Sequence, residues 1–187
     1  GAEDPGQVAM RAAKAEVRSD HRGYYSLVCE KDRAVFSREE FEEGEIGRTF
    51  FGLDASVYAD RAVFRLEGWT ATGRVATAAV SVTEVDWNEA LKRAAAIMEK
   101  KHPGAKGMNM GEFRSTLLGL KGLPSARNRI DYRMLREKGE WKLDLGWAEG
   151  NLPSTFTENE RFPHGLAWLS ERPARPGLAR GVWAPPY

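Results

Sequence analysis

Ala9, Met10, Ala13 and Val17 recur on one side of a 3.6-residue period, and Gln7, Arg11, Lys14 and Arg18 fall on the other. The chain therefore opens with a helix lying on a core. Asp4-Pro5-Gly6-Gln7 supplies its start: an Asx cap, proline at the first helical position, and a glutamine able to return a bond to the cap. The pattern carries this helix to about Gly23. Tyr24, Tyr25, Leu27 and Val28 then form a short apolar cluster, read as brief further helix before the charged stretch Glu30-Lys31-Asp32-Arg33. Ser37-Arg38-Glu39-Glu40 is a capping box flanked by Phe36 and Phe41 at the two positions of a hydrophobic staple. It starts a short helix that Gly44 and Gly47 are expected to end.

From Thr49 the residues turn β-rich through Phe50, Phe51, Val57, Val63, Phe64, Leu66 and Trp69. Arg61 to Thr70 and Val75 to Val85 predict two strands joined at Thr72-Gly73, the second placing Ala76, Ala78, Val80 and Val82 on one face. Asp86-Trp87-Asn88-Glu89 repeats the cap logic for a helix striped by Leu91, Ala94, Ala95 and Met98. Lys100, Lys101 and His102 occupy its last turn, and Pro103-Gly104 stops it. Residues 105–125 are punctuated by glycine and show no clear period, although Leu117, Leu118 and Leu120 require burial. Ile130, Tyr132 and Met134 then alternate with Arg129, Asp131 and Arg133, and Glu137-Lys138-Gly139-Glu140 turns the chain. Trp141, Leu143, Leu145 and Trp147 line one face of the expected return strand.

These elements make an α+β domain over residues 1–150, followed by an extension over 151–187 that holds six of the nine prolines. Phe156, Phe162, Trp168 and Trp183 predict that this tail packs on the body or on a partner, because disordered segments are poor in aromatics. The sequence shows no internal repeat. With 28 basic against 27 acidic side chains in 187 residues, the net charge of +1 argues against a dedicated nucleic-acid binder. No apolar run approaches the ~20 residues of a membrane span. One cysteine, Cys29, excludes an intramolecular disulfide. The chain starts at Gly1 with no methionine, which is read as a processed start and an exported protein, periplasmic or lipoprotein-anchored, with the cytoplasm as the alternative.

Tyr24-Tyr25-Ser26-Leu27, followed by the run from Asp32 to Phe41, resembles the helical opening of bacterial extracytoplasmic members of the nuclear transport factor two-like superfamily, the cystatin-like cone. The run from Tyr132 to Leu143 resembles their closing hairpin. The resemblance spans residues 5–149 and is similar in style to small lipoprotein-type domains and to the N-terminal domain of methicillin-resistance-type transpeptidases. It implies a curved antiparallel sheet wrapped around the N-terminal helix, a central pocket between them, and a homodimer through the exposed sheet face. These are motifs of fold, and the fold carries no fixed function.

Candidate chemistry follows from residue type. A proton-transfer isomerase or cyclase in such a cone needs a carboxylate of raised pKa beside a tyrosine in an apolar cavity. Tyr24, Tyr25, Asp54, Asp131 and Asp144 are available, but Asp131 and Asp144 alternate with apolar residues and are expected to face solvent. Met98, His102, Met108 and Met110 have the softness to hold Cu(I); the simpler reading gives them to a helix stripe, a helix end and core gaps. His21, His102 and His164 show no zinc spacing, and no motif sets a base beside Cys29. The hairpin carries Lys121, Arg127, Arg129, Arg133, Arg136, Lys138 and Lys142, but Asp131, Glu137, Glu140 and Asp144 interleave with them. Mixed sign fits a solvated sheet face or a dimer seam.

Tryptophan is abundant, and aromatic walls suit both cores and pockets for planar ligands. The ligand-binding set expected from the sequence is Tyr24, Tyr25, Trp69, Trp87, Tyr132, Trp141 and Trp147, with no metal or cofactor assigned. The sequence is thus read as a non-catalytic binding or interaction module, holding a small apolar ligand or docking a protein partner. The alternatives are the proton-transfer enzyme and a structural accessory protein that assembles through its tail.

Overall fold

The computed structural model describes residues 1–46 and 53–151, apart from the side chains of residues 45 and 46. Helix α1 (Pro5–Val17) begins with the expected capping box: Asp4 and Gln7 exchange backbone-to-side-chain hydrogen bonds of 2.8 and 2.9 Å. It ends six residues before Gly23. Ser19 adopts a φ of 55°, and the Asp20 carboxylate accepts the Gly23 N–H to start α2 (His21–Ser26). A second Asx cap thus wins over the continuing apolar period, because it satisfies donors at a new helix start. After the single turn α3 (Glu30–Arg33), the Ser37 hydroxyl and Glu40 carboxylate form the capping box of α4 (Arg38–Ile46). That helix runs through Gly44, and Gly47 lies outside the described residues. So do Phe50 and Phe51; Val57, read as β-rich, belongs to a 3₁₀ helix (Ala55–Arg61) capped by Asp54.

Strands β1 (Val63–Thr72), β2 (Val75–Val85), β3 (Ser125–Glu137) and β4 (Glu140–Leu143) form one antiparallel sheet in the order β1-β2-β3-β4. Helices α5 (Trp87–Lys101) and α6 (Met110–Gly119) are inserted between β2 and β3. Directly opposed residues share a face of the sheet. Ala76 stands between Ala71 and Met134, Ala78 between Trp69 and Tyr132, and Val80 between Leu66 and Ile130. This face lies under α1, where Val8, Ala9, Ala12, Ala13 and Val17 pack with Ala76, Ala78, Val80, Val82, Tyr132, Met134 and Leu143. Small side chains on both surfaces let the helix sit close. Glu67 is an extra residue in β1, so the register passes from Leu66 opposite Val80 to Gly68 opposite Ala79.

A second core joins Leu53, Ala55 and Tyr58 to Trp87, Leu91, Ala94, Ala95 and Met98 of α5 and to Phe113 and Leu117 of α6. The Tyr58 hydroxyl donates to the Leu117 carbonyl at 2.6 Å. The glycine-punctuated stretch thus contains a helix that turns Leu117 inward, while Leu118, expected to be buried, is exposed and Leu120 is half-buried.

The return strand is shorter than its alternation predicted. It stops at Leu143, and neither Leu145 nor Trp147 is on a strand: Gly146 is left-handed and Trp147–Glu149 forms a 3₁₀ turn. The cause is tertiary. Leu143 donates to the Leu27 carbonyl at 2.7 Å and accepts from the Cys29 N–H at 2.8 Å, and the Asp32 carboxylate takes the N–H groups of Leu145 and Ala148. Among the described residues, no helix is long and apolar enough to cross a membrane.

Candidate functional site

Among the described residues, the densest aromatic assembly lies where α2, α3 and α4 meet the end of β4. Tyr24 and Tyr25 come from α2, Phe36 and Phe41 from the staple around the start of α4, and Trp147 from the turn after Gly146. Phe41 and Trp147 are 5.4 Å apart between ring centroids, Phe36 meets Trp147 edge-on at 5.5 Å, and Tyr24 stacks on Phe41 at 6.0 Å. Tyr25 approaches Phe41 at 5.8 Å and Trp147 at 6.5 Å, all ordinary ring-packing distances. The Tyr25 hydroxyl donates to the Phe36 carbonyl at 2.5 Å, and burial raises its pKa against the opposing pull of Arg33.

Beside these rings, Cys29 Sγ and carboxylate oxygens of Asp32 and Asp144 lie within 4.8 Å of one another. Their capacity is already committed. Asp32 is wholly buried and accepts from Leu145 N at 2.7 Å and Ala148 N at 2.9 Å. Asp144 pairs with Lys31 at 3.1 Å and Arg133 at 2.9 Å; its side chain is only 7% exposed, which corrects the expectation that it faces solvent. Burial pulls the Asp144 carboxyl upward, but the bonds from Lys31 and Arg133 outweigh it and hold the group below its ordinary value. Burial also pushes the Cys29 thiol up to about 12. A metal needs the thiolate and uncompensated carboxylates. Here two backbone N–H groups serve Asp32 and two cations serve Asp144, so the group fits a lock between α3 and the end of β4.

The other expected ligand residues lie outside these ring contacts, divided among the second core, the core beneath α1 and the β1 edge. Trp87 is buried in the second core, 6.2 Å from the Tyr58 ring. Tyr132 is buried beneath α1, where desolvation and the neighbouring Glu16 carboxylate raise its pKa. Trp141 is half-buried on β4, with the Arg136 guanidinium 5.8 Å from its ring. Trp69 is exposed on β1 beside Gly6, where an added Cβ would come within 2.7 Å of both Trp69 and Leu66. Of the expected set, Tyr24, Tyr25 and Trp147 share the ring assembly, and Tyr24 also packs with Tyr132 and Trp141 in the core beneath α1.

The remaining candidates resolve similarly. Asp54 accepts from the Ser19 hydroxyl at 2.5 Å and the Ser56 N–H at 2.8 Å, and exposed Asp131 pairs with Arg129. Met98 belongs to the α5 stripe and accepts from the Thr116 hydroxyl, Met108 and Met110 pack on the second core, and His102 bonds Glu112 at 3.0 Å.

One surface escaped the sequence reading. Along β1, Val63, Leu66 and Trp69 are 64%, 37% and 44% exposed. Among the described residues, β1 has no strand on its outer side, whereas a parallel bridge from Val28 to Leu143 closes the β4 edge. Alternation alone cannot distinguish an edge strand from an inner one; the only local signal was Gly68 inside a strand pattern, a mark of a bulge. No protein-family model matches this chain, no curated protein matches its sequence and no solved structure matches its fold.

Proposed function

We propose that this protein is a non-catalytic interaction module that docks a protein partner on the β1 edge of its sheet. The carrying observation is that Leu66 and Trp69 on the α1 side, and Val63 on the other face, are exposed along a strand that no other strand among the described residues covers on its outer side. An exposed edge offers backbone donors and acceptors to an incoming strand, and its side chains supply selectivity. Among the described residues, the displaced pKa values give no positive support to proton transfer. Tyr25, Cys29, Lys31, Tyr58 and Tyr132 are raised, and Glu67 and Asp144 are lowered. Each moves away from neutrality, whereas a general acid or base is tuned toward the working pH. The resemblance to the nuclear transport factor two-like cone enters this proposal through α1, which lies across an antiparallel sheet.

The test is a comparison of the proteins retained by the immobilised wild-type chain and by its Leu66→Glu variant, with matched thermal unfolding. The partner is expected to be lost from the variant. An identical retained set would remove β1 as the docking surface.

A further inference from the structure

We infer that the partner of the β1 edge is a second copy of this chain, paired antiparallel about a two-fold axis between Glu67 and Gly68. The inference rests on the β1 docking reading and names its occupant. Its basis is the phase of the backbone. The Arg136 N–H donates to the Arg74 carbonyl at 2.9 Å, so even-numbered residues of β2 bond toward β3 and odd-numbered ones toward β1. Their β1 partners Val63, Arg65, Gly68, Thr70 and Thr72 therefore bond inward, and Phe64, Leu66, Trp69 and Ala71 direct their N–H and C=O groups outward. All four stand on the α1 side of the sheet.

The Glu67 bulge limits what can pair with this row. Both the face and the hydrogen-bond phase change at the extra residue, so a regular strand in register with one half of β1 is out of register with the other. A second copy with its bulge opposite this one satisfies both halves. Leu66 then faces the partner's Trp69, Phe64 faces the partner's Ala71, and the reciprocal pairs follow by symmetry. Shifting by one residue puts an α1-side residue against an open-face one; shifting by two sets Trp69 or Leu66 against a bulge residue.

The chosen register makes about eight backbone hydrogen bonds and closes Leu66 and Trp69 over their counterparts. Its charges are compatible. Arg65 faces the partner's Thr70, and each Glu67 is turned inward, accepting from Ser81 at 2.6 Å and Arg127 at 3.1 Å. The two central carboxylates are thus flanked by an Arg65 from each copy, and no like charges stand directly opposed. One strand per copy makes a small interface, so the dimer belongs to the weak, reversible class.

The experiment is sedimentation of the full chain from about 1 to about 500 µM, the range of weak association, combined with oxidative cross-linking of mixed Arg65→Cys and Thr70→Cys chains. Those positions face each other as a close, non-hydrogen-bonded pair suited to a disulfide, and buried Cys29 does not compete. Reversible dimerisation, with the mixture cross-linking at least tenfold faster than either variant alone, is the expected result. Ala71→Pro removes an outward N–H at an edge position and should abolish both effects; Leu66→Asp serves the same purpose if the proline variant unfolds. A chain that stays monomeric throughout, or a dimer that survives both variants without the mixed cross-link, overturns the proposal. In either case, a foreign partner lost with Ala71→Pro would preserve β1 docking, and one retained by it would remove that reading too.

Discussion

Asp32 carries no side chain into solvent, and each of its carboxylate oxygens accepts a backbone N–H from the segment after β4. Asp32→Ala should therefore cost about 3 kcal/mol in urea unfolding, since two buried donors lose a charged acceptor. A cost below about 1 kcal/mol would show that water replaces it freely. Cys29 sets a pH dependence. Its folded pKa of about 12 lies above the ordinary thiol value of about 8.5. The folded state holds this proton more tightly, so the contribution is complete below the unfolded value and is lost as pH rises toward 12. Unfolding free energy should fall by roughly 1 kcal/mol per pH unit above about pH 9, and Cys29→Ala should flatten the first part of that decline, before the tyrosines titrate. Parallel slopes in the two proteins would contradict the assignment. Among the tryptophans, buried Trp147→Ala should cost about 3 to 5 kcal/mol, and half-buried Trp141→Ala clearly less. Equal costs would mean that β4 packs more deeply than described.

Elements in this chain are delimited mainly by caps. Asp4, Ser37 and Asp86 each accept an N–H at a helix start, and all three starts were legible because the motif is local. Asp86→Ala is expected to lower stability by about 1 kcal/mol, checked by thermal or denaturant unfolding, while leaving the β2–β3 pairing intact. Ends were less legible than starts. The apolar period of α1 continues past Val17, yet Asp20 begins a new helix, and the choice depends on where α2 finds Phe41 to pack against. β4 likewise keeps its alternation to Trp147, but its pairing with β3 ends with the bond from the Asp144 N–H to the Arg133 carbonyl, because Asp32, distant in sequence, takes the Leu145 and Ala148 donors.

At the scale of the whole molecule, three buried clusters divide the described residues: one between α1 and the sheet, a second among the Ala55–Arg61 helix, α5 and α6, and a smaller third around Val28, Phe41 and Trp147. Phe113→Ala should loosen the second selectively, speeding amide hydrogen exchange in α5 and α6 before β2 and β3. Uniform acceleration would show a single cooperative unit. This division also separates the expected ligand residues, placing Trp87 in one core, Tyr132 in another, Trp147 in the aromatic assembly and Trp69 at an edge. The sequence by itself determined the α+β class, the capped helices, the β1–β2 and β3–β4 hairpins and the faces of β2 and β3, because these follow from periods and motifs spanning a few residues. Tertiary structure alone decided which strand lies at the edge, which carboxylates are buried and which rings meet. Those outcomes depend on contacts between residues far apart in the chain, such as Asp32 with Ala148, 116 positions away, and no local pattern encodes which distant groups will compete for the same donor.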